Sequence, residues 1–482
     1  MNDLPLPYLP SGVQGLDTIL NGGLQCGCLY LVEGSAGTGK TTLALQFLLE
    51  GVRRGETCLF IALSETVREI EVMAASHGWE LEPVQVVTLK RMPDSALEDS
   101  LFDVSDVEQD ERVNQVLEQI SATGPGRVVI DTLSCLRADG AHPVRFRDVM
   151  VALRQRLDEI GCTVMMVDET QRIGPQAAPY SLAWGVIRLE QVIDDFGPLR
   201  RRLCVLKVRG QEYATGYHDF SIRRGGLRVY PSLLAPPPAV EPAPGLISSG
   251  ITEIDRLLGG GVEPGTSVGI TGPPGCGKSM LALQYARAAA ERGEQTAIYL
   301  FDESPNMPAL RARSEGLDLR THLASGRIYL RSISHAEMSF GELAADILQR
   351  VEQGVRAVVL DSLNGYRDAM SDAAPVAARL LLLLGHLRAR GAVVFMTLEQ
   401  QNGPQPIDIG YLADTVIMQR YFETAGAVRY AVSVLKKRYG DHERTVREYS
   451  MRDGGMQVSE PMLGFTGVLG AVPVYTGGEP SR

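Results

Sequence analysis

Two glycine-rich segments contain the residues whose types and spacing fit phosphate binding. One reads GSAGTGKT from Gly34, and the other reads GPPGCGKS from Gly272. Each matches the pattern G-x-x-x-x-G-K-[ST] between an apolar stretch of strand type and a helical stretch, which is the context that the pattern requires. In such a loop, successive backbone N–H groups surround the phosphates of a nucleotide at a helix N-terminus. The sequence therefore predicts two nucleotide sites, with a plain glycine-rich turn as the alternative.

Within each loop, the lysine and the residue after it have separate expected tasks. Lys40 and Lys278 place a positive charge on the phosphates, while Thr41 and Ser279 each offer a hydroxyl to Mg²⁺. The expected nucleotide contacts cover both loops, namely Gly34, Ser35, Ala36, Gly37, Thr38, Gly39, Lys40, Thr41, Thr42, Gly272, Pro273, Pro274, Gly275, Cys276, Gly277, Lys278, Ser279 and Met280.

Carboxylates stand at the ends of apolar stretches in both halves of the chain. Asp131 ends RVVID and Asp361 ends AVVLD, where a carboxylate can meet the water shell of Mg²⁺ beside the phosphate loop. Glu65 follows CLFIAL, and Asp302 and Glu303 follow AIYLF, so these acids are candidates for orienting or deprotonating the attacking water. A turn residue or helix N-cap is the alternative for the aspartates, and a solvated loop acid for the others.

A late strand in each half ends in basic residues. The segments are Lys207-Val208-Arg209 and Lys436-Lys437-Arg438, and strand alternation places the first and third side chains of each on one face. Cations of this kind can reach the γ-phosphate held by a neighbouring subunit and stabilise the charge of the transition state. An ordinary basic strand end is the alternative.

These motifs recur because the chain repeats itself. The segment SGVQGLDTILNGGL from Ser11 returns as SGITEIDRLLGGGV from Ser249, and Lys40 and Lys278 are separated by the same interval. A tandem duplication explains the shared register. Residues 231–245 are rich in proline and indicate a stiff, extended connection. The predicted divisions are a first nucleotide-binding domain (residues 1–235), a linker (236–246), a second such domain (247–458) and a C-terminal tail (459–482).

Short apolar segments alternate with segments of helical length in both copies. The strands predicted in the first copy are residues 28–33, 58–63, 128–131, 163–167 and 202–208. Those predicted in the second are residues 267–271, 297–301, 357–361, 393–397, 415–419 and 431–436. This alternation predicts an α/β fold with mostly parallel sheets and helices on both faces.

Composition narrows the possible classes of protein. With 482 residues, of which 44% are hydrophobic and 22% charged, the chain is expected to form several globular domains. Its net charge of −11 argues against a nucleic-acid surface. The longest aliphatic run, residues 380–384, is far shorter than the ~20 residues that a membrane span needs. The N-terminus lacks the basic and apolar regions of a signal peptide, so we expect a cytoplasmic protein without membrane contact.

Together, these motifs resemble the KaiC family, RecA-superfamily ATPases related to the cyanobacterial circadian clock protein. The resemblance rests on the GLD…GG lead-in, both phosphate loops, the strand-end carboxylates, the IDT and LDS aspartates and the Lys-x-Arg strands. It implies two RecA-like domains that stack as two rings in an ATP-dependent homohexamer. It also implies slow, Mg²⁺-dependent ATP hydrolysis, in which the neighbouring protomer contributes the Lys and Arg of the Lys-x-Arg strand. A further implication is an unidentified partner protein of the signalling or clock type. Serine/threonine autokinase activity in the second domain is a further implication.

Two departures from the family pattern bear on activity. The family commonly has a Glu-Glu pair where this chain has Ser64-Glu65 and Asp302-Glu303, which predicts that the first domain hydrolyses ATP poorly. Where the clock protein carries a phosphorylated Ser-Thr pair, this chain has Gly410 and Tyr411, which argues against autophosphorylation by that route. The acidic segment 94–111 is interpreted as a solvated insertion or a partner-docking surface.

Two other classes of function remain as alternatives. One is a DNA-dependent recombination or repair ATPase of the RecA/RadA type, against which the acidic charge and the absence of a lysine-rich or glycine-rich DNA loop argue. The other is a nucleotide-gated scaffold with negligible turnover, which the missing carboxylate in the first copy favours.

Overall fold

The computed structural model divides the chain into two compact units, Met1–Ser232 and Leu233–Arg482. It describes residues 7–89, 104–136, 143–169, 178–193, 199–238, 245–301, 303, 317–334, 337–369, 376–400, 408–424, 426–452, 455–463, 465–466, 468 and 474–475. Most of the acidic segment 94–111 lies outside these residues, and so does Asp302. Among the described residues, no helix has both the length and the apolar character needed to cross a membrane.

The first unit alternates strands and helices before it ends in antiparallel strands. Its strands are β1 (Tyr8–Leu9), β2 (Leu24–Gln25), β3 (Leu29–Gly34), β4 (Cys58–Ala62), β5 (Gln85–Thr88), β6 (Arg127–Asp131), β7 (Thr163–Glu169), β8 (Gly185–Val192), β9 (Arg200–Val208), β10 (Tyr217–Arg223) and β11 (Gly226–Tyr230). Its helices are α1 (Leu16–Ile19), α2 (Lys40–Arg53), α3 (Val67–Ser76), α4 (Val104–Thr123), α5 (Pro143–Ile160) and α6 (Ala178–Leu182), with a 3₁₀ turn at Leu133–Leu136.

The second unit repeats this order. Its strands are β12 (Ser267–Gly272), β13 (Gln295–Phe301), β14 (Ile328–Ile333), β15 (Val355–Asp361), β16 (Val393–Glu399), β17 (Thr415–Thr424), β18 (Ala427–Lys437), β19 (Arg447–Arg452), β20 (Gly455–Pro461), β21 (Phe465–Thr466) and β22 (Val474–Tyr475). Its helices are α7 (Thr252–Leu257), α8 (Lys278–Glu291), α9 (Arg320–Ala324), α10 (Phe340–Glu352), α11 (Leu363–Ala369), α12 (Val376–Ala389) and α13 (Ile409–Leu412).

Each unit contains one large mixed sheet of nine strands. The first has the order β11-β10-β9-β8-β3-β7-β6-β4-β5, and the second has the matching order β20-β19-β18-β17-β12-β16-β15-β13-β14. The six strands from β8 to β5 run parallel, whereas β8 to β11 run antiparallel. The predicted α/β class with mostly parallel sheets is confirmed. The predicted strands omitted β5, β8, β10 and β11 of the first sheet and β14, β19 and β20 of the second.

Alternation along the central strands builds a core on both faces of each sheet. In the first unit, Val32 packs with Phe47 of α2 on one face, while Leu31 packs with Ile61 on the other face. Strands that are buried on both faces have nearly continuous apolar sequences, and this pattern made them recognisable in the sequence. This packing fixes β3 and β12, the strands that lead into the phosphate loops, in the middle of the sheets.

The start of the connecting segment packs against the second unit. The side chain of Leu233 contacts the core of this unit, and the backbone carbonyl of Leu234 lies 3.0 Å from Nε2 of His386 on α12. A Cβ atom at Gly385 would lie only 2.8 Å from Cγ of Pro236. The predicted limits at 235 and 246 stay predictions, since residues 239–244 lie outside the described part of the chain.

Candidate functional site

The first phosphate loop joins the end of β3 to the start of α2. Gly39 precedes the helix with a φ of 98°, and a Cβ atom there would lie 2.4 Å from Cδ1 of Ile222. Glycine is the residue that tolerates this conformation without strain. The Nζ atom of Lys40 donates hydrogen bonds of 2.9 Å to the carbonyl oxygens of Gly34 and Ser35, so the ammonium group is held within the loop.

The predicted magnesium ligands of the first domain meet at this loop. Thr41 is the second residue of α2, and Asp131 ends β6, which is two strands away from β3 in the sheet. Oγ1 of Thr41 donates a hydrogen bond of 2.7 Å to Oδ2 of Asp131. Burial raises the pKa of Asp131, and the hydrogen bond from Thr41 and the charge of Lys40 oppose this shift. The structure therefore brings together the hydroxyl, the carboxylate and the lysine that the sequence predicted.

A cavity of about 350 Å³ opens beside the loop and holds Glu65. Helix α3 begins just after Glu65, because Thr66 and Glu69 form a capping box that satisfies each other's backbone N–H groups. Within the described residues, Oε2 of Glu65 is buried without a hydrogen-bond partner. Burial, followed by the nearby charges of Asp131 and Glu69, raises the pKa of Glu65. A carboxylate in this state is more basic than an ordinary surface acid.

Glu169 is a site residue that the sequence analysis missed. Strand β7 continues to Glu169, two residues beyond the predicted end, and pairs Glu169 with Gly34 in register. Its side chain lines the same cavity as Glu65. The matching strand β16 pairs Glu399 with Gly272 in the same way. The acids that follow VMMV and VVFMTL were the available signal.

The acids around the first phosphate loop affect the pKa of Lys40. Burial lowers the pKa of Lys40, and the charges of Asp131, Glu169, Asp168 and Glu65 oppose that shift. Because four carboxylates lie around one ammonium group, an incoming polyphosphate adds further negative charge to the site. A Mg²⁺ ion bound with the nucleotide would reduce this repulsion by adding positive charge.

The second phosphate loop also joins a central strand to a helix, and the cavity beside it is lined by different elements from those of the first cavity. Nζ of Lys278 donates a hydrogen bond of 2.8 Å to the carbonyl of Pro273, and Tyr449 OH donates to the carbonyl of Cys276. The cavity measures about 720 Å³ and is lined by the loop together with Tyr430, Tyr449 and other residues of β18 and β19. Burial raises the pKa of the Cys276 thiol.

The carboxylates of the second domain are arranged differently from those of the first. Asp361 is buried and accepts a hydrogen bond from Oγ1 of Thr397 on β16. The backbone carbonyl of Glu303 accepts a hydrogen bond from Ser332. Asp302 and its predicted catalytic role lie outside the described residues. Ser279 lines the second cavity with Lys278, and its predicted role toward Mg²⁺ stays a prediction.

The predicted cations do not lie near the phosphate loop of their own domain. Lys207 pairs with Val186 near the start of β8, and that start lies beside the beginning of β3. The phosphate loop follows the other end of β3, at Gly34. Nζ of Lys207 donates hydrogen bonds to the carbonyls of Tyr180 (2.8 Å) and Ala183 (2.7 Å).

Lys436 is anchored at places equivalent to those of Lys207, whereas Arg209 and Arg438 have different partners. Arg209 donates to the carbonyl of Ser181 at 2.6 Å. Lys436 donates to the carbonyls of Gly410 (2.7 Å) and Ala413 (2.8 Å), and Arg438 donates to Oδ1 of Asp414 at 3.0 Å. Burial and the neighbouring arginine lower the pKa of Lys207 and of Lys436.

Comparison with known proteins agrees with this geometry. The KaiC ATPase family matches residues 9–233 and again residues 247–462, which covers both phosphate loops and both basic strands. The chain belongs to the KaiC family. Family membership therefore assigns an ATPase domain to each unit and confirms the predicted pair of tandem RecA-like domains.

Individual KaiC relatives are similar over almost the whole chain. The circadian clock oscillator protein KaiC of Acaryochloris marina is 27% identical over 98% of this chain and 92% of its own length. The protein of the same name from Parathermosynechococcus lividus is 29% identical over 97% and 88%. The circadian clock protein KaiC3 of Synechocystis sp. is 25% identical over 97% and 95%.

The residues of the first KaiC domain fit a magnesium nucleotide. In the part of the chain that the structure describes, no group of three or more His, Cys, Asp or Glu side chains is placed to hold a metal ion. Mg²⁺ bound with a nucleotide does not need such a group, because it keeps several waters and takes the rest of its ligands from phosphates. Thr41 and Asp131, which are hydrogen-bonded to each other, would supply the one or two protein oxygens that this arrangement requires.

Proposed function

We propose that this KaiC-family protein is a Mg²⁺-dependent ATPase that assembles with ATP into a homohexamer of two stacked rings. The nucleotide state of the rings then controls the binding of a partner protein. The observation that carries this proposal is the position of Lys207, Arg209, Lys436 and Arg438, which lie at the edge of the sheet opposite the phosphate loop of their own domain.

Strand geometry makes this separation large. Tyr30 of β3 pairs with Gly185 of β8, and Gly185 pairs with Val208, which lies between Lys207 and Arg209. Gly34, where the phosphate loop begins, is four residues further along β3. At about 3.3 Å per residue, these four residues span about 13 Å, and the loop itself adds to that distance. This distance supports a role for Lys207 and Arg209 at a nucleotide on another copy of the chain. The second unit repeats the arrangement, which favours two rings built from the same protomers.

The first site supplies the groups that ATP hydrolysis needs. The loop N–H groups and Lys40 bind the phosphates, Thr41 and Asp131 hold Mg²⁺ when it is bound, and Glu65 takes the proton of the attacking water. Glu65 is suited to this role because its carboxylate is partly buried, lacks a partner in the described residues and has a raised pKa. General-base assistance is worth about 10²- to 10⁴-fold in rate.

The two rings are proposed to work at different rates. Ser64 cannot act as a base near neutral pH, so the first domain relies on Glu65, whereas the second retains Asp302 and Glu303. We therefore assign assembly mainly to the first domain and the larger share of slow hydrolysis to the second. Lys278→Ala should lower total hydrolysis more than Lys40→Ala, provided that light scattering shows that both variants assemble. A greater loss from Lys40→Ala would reverse the assignment.

Protein kinase activity is a separate question in this chain. Gly410 has no side chain, and Tyr411 presents a phenol that is 66% exposed. The serine/threonine autophosphorylation that the family resemblance implied therefore has no acceptor at these two positions. Mass spectrometry after incubation with ATP tests whether any other hydroxyl of the chain becomes phosphorylated.

Assembly and turnover together test the proposed function. Light scattering with ATP or a non-hydrolysable analogue should show about six protomers per particle, since ligand bound between protomers stabilises the assembly by mass action. A monomer at saturating ATP contradicts the proposal. Stimulation of hydrolysis by single-stranded DNA would select the recombination ATPase instead. Assembly without any turnover would select the nucleotide-gated scaffold.

A further inference from the structure

A cluster of three polar side chains lies beneath the first phosphate loop. It consists of Glu33, Arg188 and Tyr180, and we refer to it as the Glu33 cluster. Glu33 directly precedes Gly34, and its side chain is only 2% exposed. Nε of Arg188 donates to Oε1 of Glu33 at 2.5 Å, and Tyr180 OH donates to Oε2 of the same carboxylate. Arg188 also donates to Tyr180 OH at 2.9 Å, so all three groups are joined.

Tyr180 connects this cluster to the cations at the other edge of the sheet. Its side chain contacts Glu33, while its backbone carbonyl accepts the hydrogen bond from Lys207. The next residue of α6, Ser181, accepts from Arg209 through its own carbonyl. Helix α6 thus holds both cations with its backbone and holds the strand of the phosphate loop with one side chain.

The second domain lacks the cluster although it keeps the cation anchors. Thr271 and Met418 pair in register at the positions that correspond to Glu33 and Arg188. The residue that corresponds to Tyr180 is Gly410, whose carbonyl accepts the hydrogen bond from Lys436. The fold of the second domain therefore forms without these charges.

We propose that Glu33 and Tyr180 are positioning residues that connect the first domain's phosphate loop to Lys207 and Arg209. This inference rests on the proposed function, because it takes these cations to act on the nucleotide of a neighbouring protomer. Nucleotide binding that shifts the end of β3 then moves α6 through Tyr180. Each protomer of the first ring thereby adjusts the cations that it offers to the next protomer according to its own nucleotide.

A purely structural role explains the cluster less well. Burying an ion pair removes two charges from water, and apolar residues of similar volume often serve the stability of a fold equally well. Thr271 and Met418 show that the repeated fold accepts uncharged residues at two of these positions. The first domain retains a charged cluster where the strand that carries its phosphate loop meets the helix that anchors its cations. A link between these two sites accounts for that location.

Tyr180→Phe is the variant that tests the link, because it removes the hydroxyl and keeps the ring. ATP hydrolysis is measured on the full chain in a Lys278→Ala background, so that the signal comes from the first domain. We expect kcat to fall about three- to tenfold, as for the loss of one or two hydrogen bonds, with KM for ATP and ring assembly unchanged. Tyr217→Phe is the matched control, since Tyr217 lies on β10 and its OH also donates to a glutamate, Glu190, at 3.0 Å.

A double-mutant cycle with Arg209→Lys distinguishes the link from a local effect. If Tyr180 acts through Arg209, Tyr180→Phe lowers kcat much less in the Arg209→Lys chain than in the parent. Equal losses in both chains overturn the inference, and so does a loss matched by Tyr217→Phe. The paired replacement Glu33→Thr with Arg188→Met removes both charges together and should reproduce the effect of Tyr180→Phe. If Arg209→Ala itself leaves turnover unchanged, the neighbour contact of the proposed function fails, and this inference fails with it.

Discussion

Replacing Glu65 by glutamine should affect activity and stability in opposite directions. Glutamine keeps the shape of the side chain but cannot take a proton from water. We therefore expect hydrolysis by the first domain to fall about 10²- to 10⁴-fold, the usual contribution of a general base. At 1.36 kcal/mol for each factor of ten, this loss equals about 3 to 5 kcal/mol of transition-state stabilisation.

The expected gain in stability follows from the direction of the pKa shift. Burial and the charge of Asp131 raise the pKa of Glu65 in the folded chain above its ordinary value. A carboxyl group with a raised pKa favours folding below its ordinary pKa, and that contribution is lost as pH rises through the folded-state value. At neutral pH, the ionised Glu65 therefore opposes folding, and a neutral glutamine removes this cost.

The assay compares two measurements on the same full-length variant. ATP hydrolysis is followed in the Lys278→Ala background, and the free energy of unfolding is obtained from denaturant titration of that chain. Glu71→Gln is the matched control, since Glu71 is an exposed acid six residues further along the chain, outside the nucleotide cavity. A loss of activity under tenfold, or a loss of stability, would refute the assignment of Glu65 as the base. The parent should also lose first-domain turnover as pH falls through the raised pKa of Glu65.

Three further predictions concern the loops and the cations. Arg209→Ala and Arg438→Ala should lower kcat more than ATP affinity, because a cation from a neighbour acts mainly on transition-state charge; equal losses in titration and turnover assays would indicate a simple binding role. Thr41→Val should weaken Mg²⁺-dependent ATP binding about tenfold, because it removes the hydroxyl that contacts Asp131, and unchanged affinity across a Mg²⁺ titration would contradict this role. Gly39→Ala should destabilise the first domain by about 1 to 3 kcal/mol more than Gly55→Ala, as measured by denaturant titration. Both glycines have positive φ, but a Cβ atom at Gly39 would lie too close to Ile222, whereas a Cβ atom at Gly55 would meet open space.

The sequence identified those site residues whose roles depend on local pattern. Strand, glycine-rich loop and helix follow one another within a few residues, so the phosphate loops could be predicted. Thr41 and Asp131 were each predicted beside Mg²⁺, and the structure shows a direct hydrogen bond between them. Glu169 was missed because the predicted strand stopped at Val167, where the apolar run ends. Strand pairing continues beyond the apolar residues because it depends on backbone hydrogen bonds to β3.

Longer-range relations could not be read from local patterns. The position of Lys207 at the edge opposite the loop follows from the antiparallel pairing of β8 with β9, which depends on the register of the whole sheet. Glu33 stands out as an acid inside an apolar strand, but its partners Tyr180 and Arg188 lie about 150 residues further along the chain. Asp361 and Asp131 end matching strands, but their hydrogen-bond donors differ. Asp131 accepts from Thr41 on α2, whereas Asp361 accepts from Thr397 on β16.

The two domains share the backbone contacts that hold their cations and differ in the side-chain contacts. Lys207 and Lys436 are both anchored by backbone carbonyls, which any sequence can supply, so the duplication preserved these contacts while the surrounding side chains changed. Arg438 is held by Asp414, a buried carboxylate that also accepts a hydrogen bond from Arg388. If Arg438 turned toward a neighbour's phosphate as proposed, Arg388 would still neutralise Asp414, and no buried charge would be left without a partner. We therefore propose that the second domain releases its arginine without help from its own phosphate loop, whereas the first domain controls its cations through Tyr180.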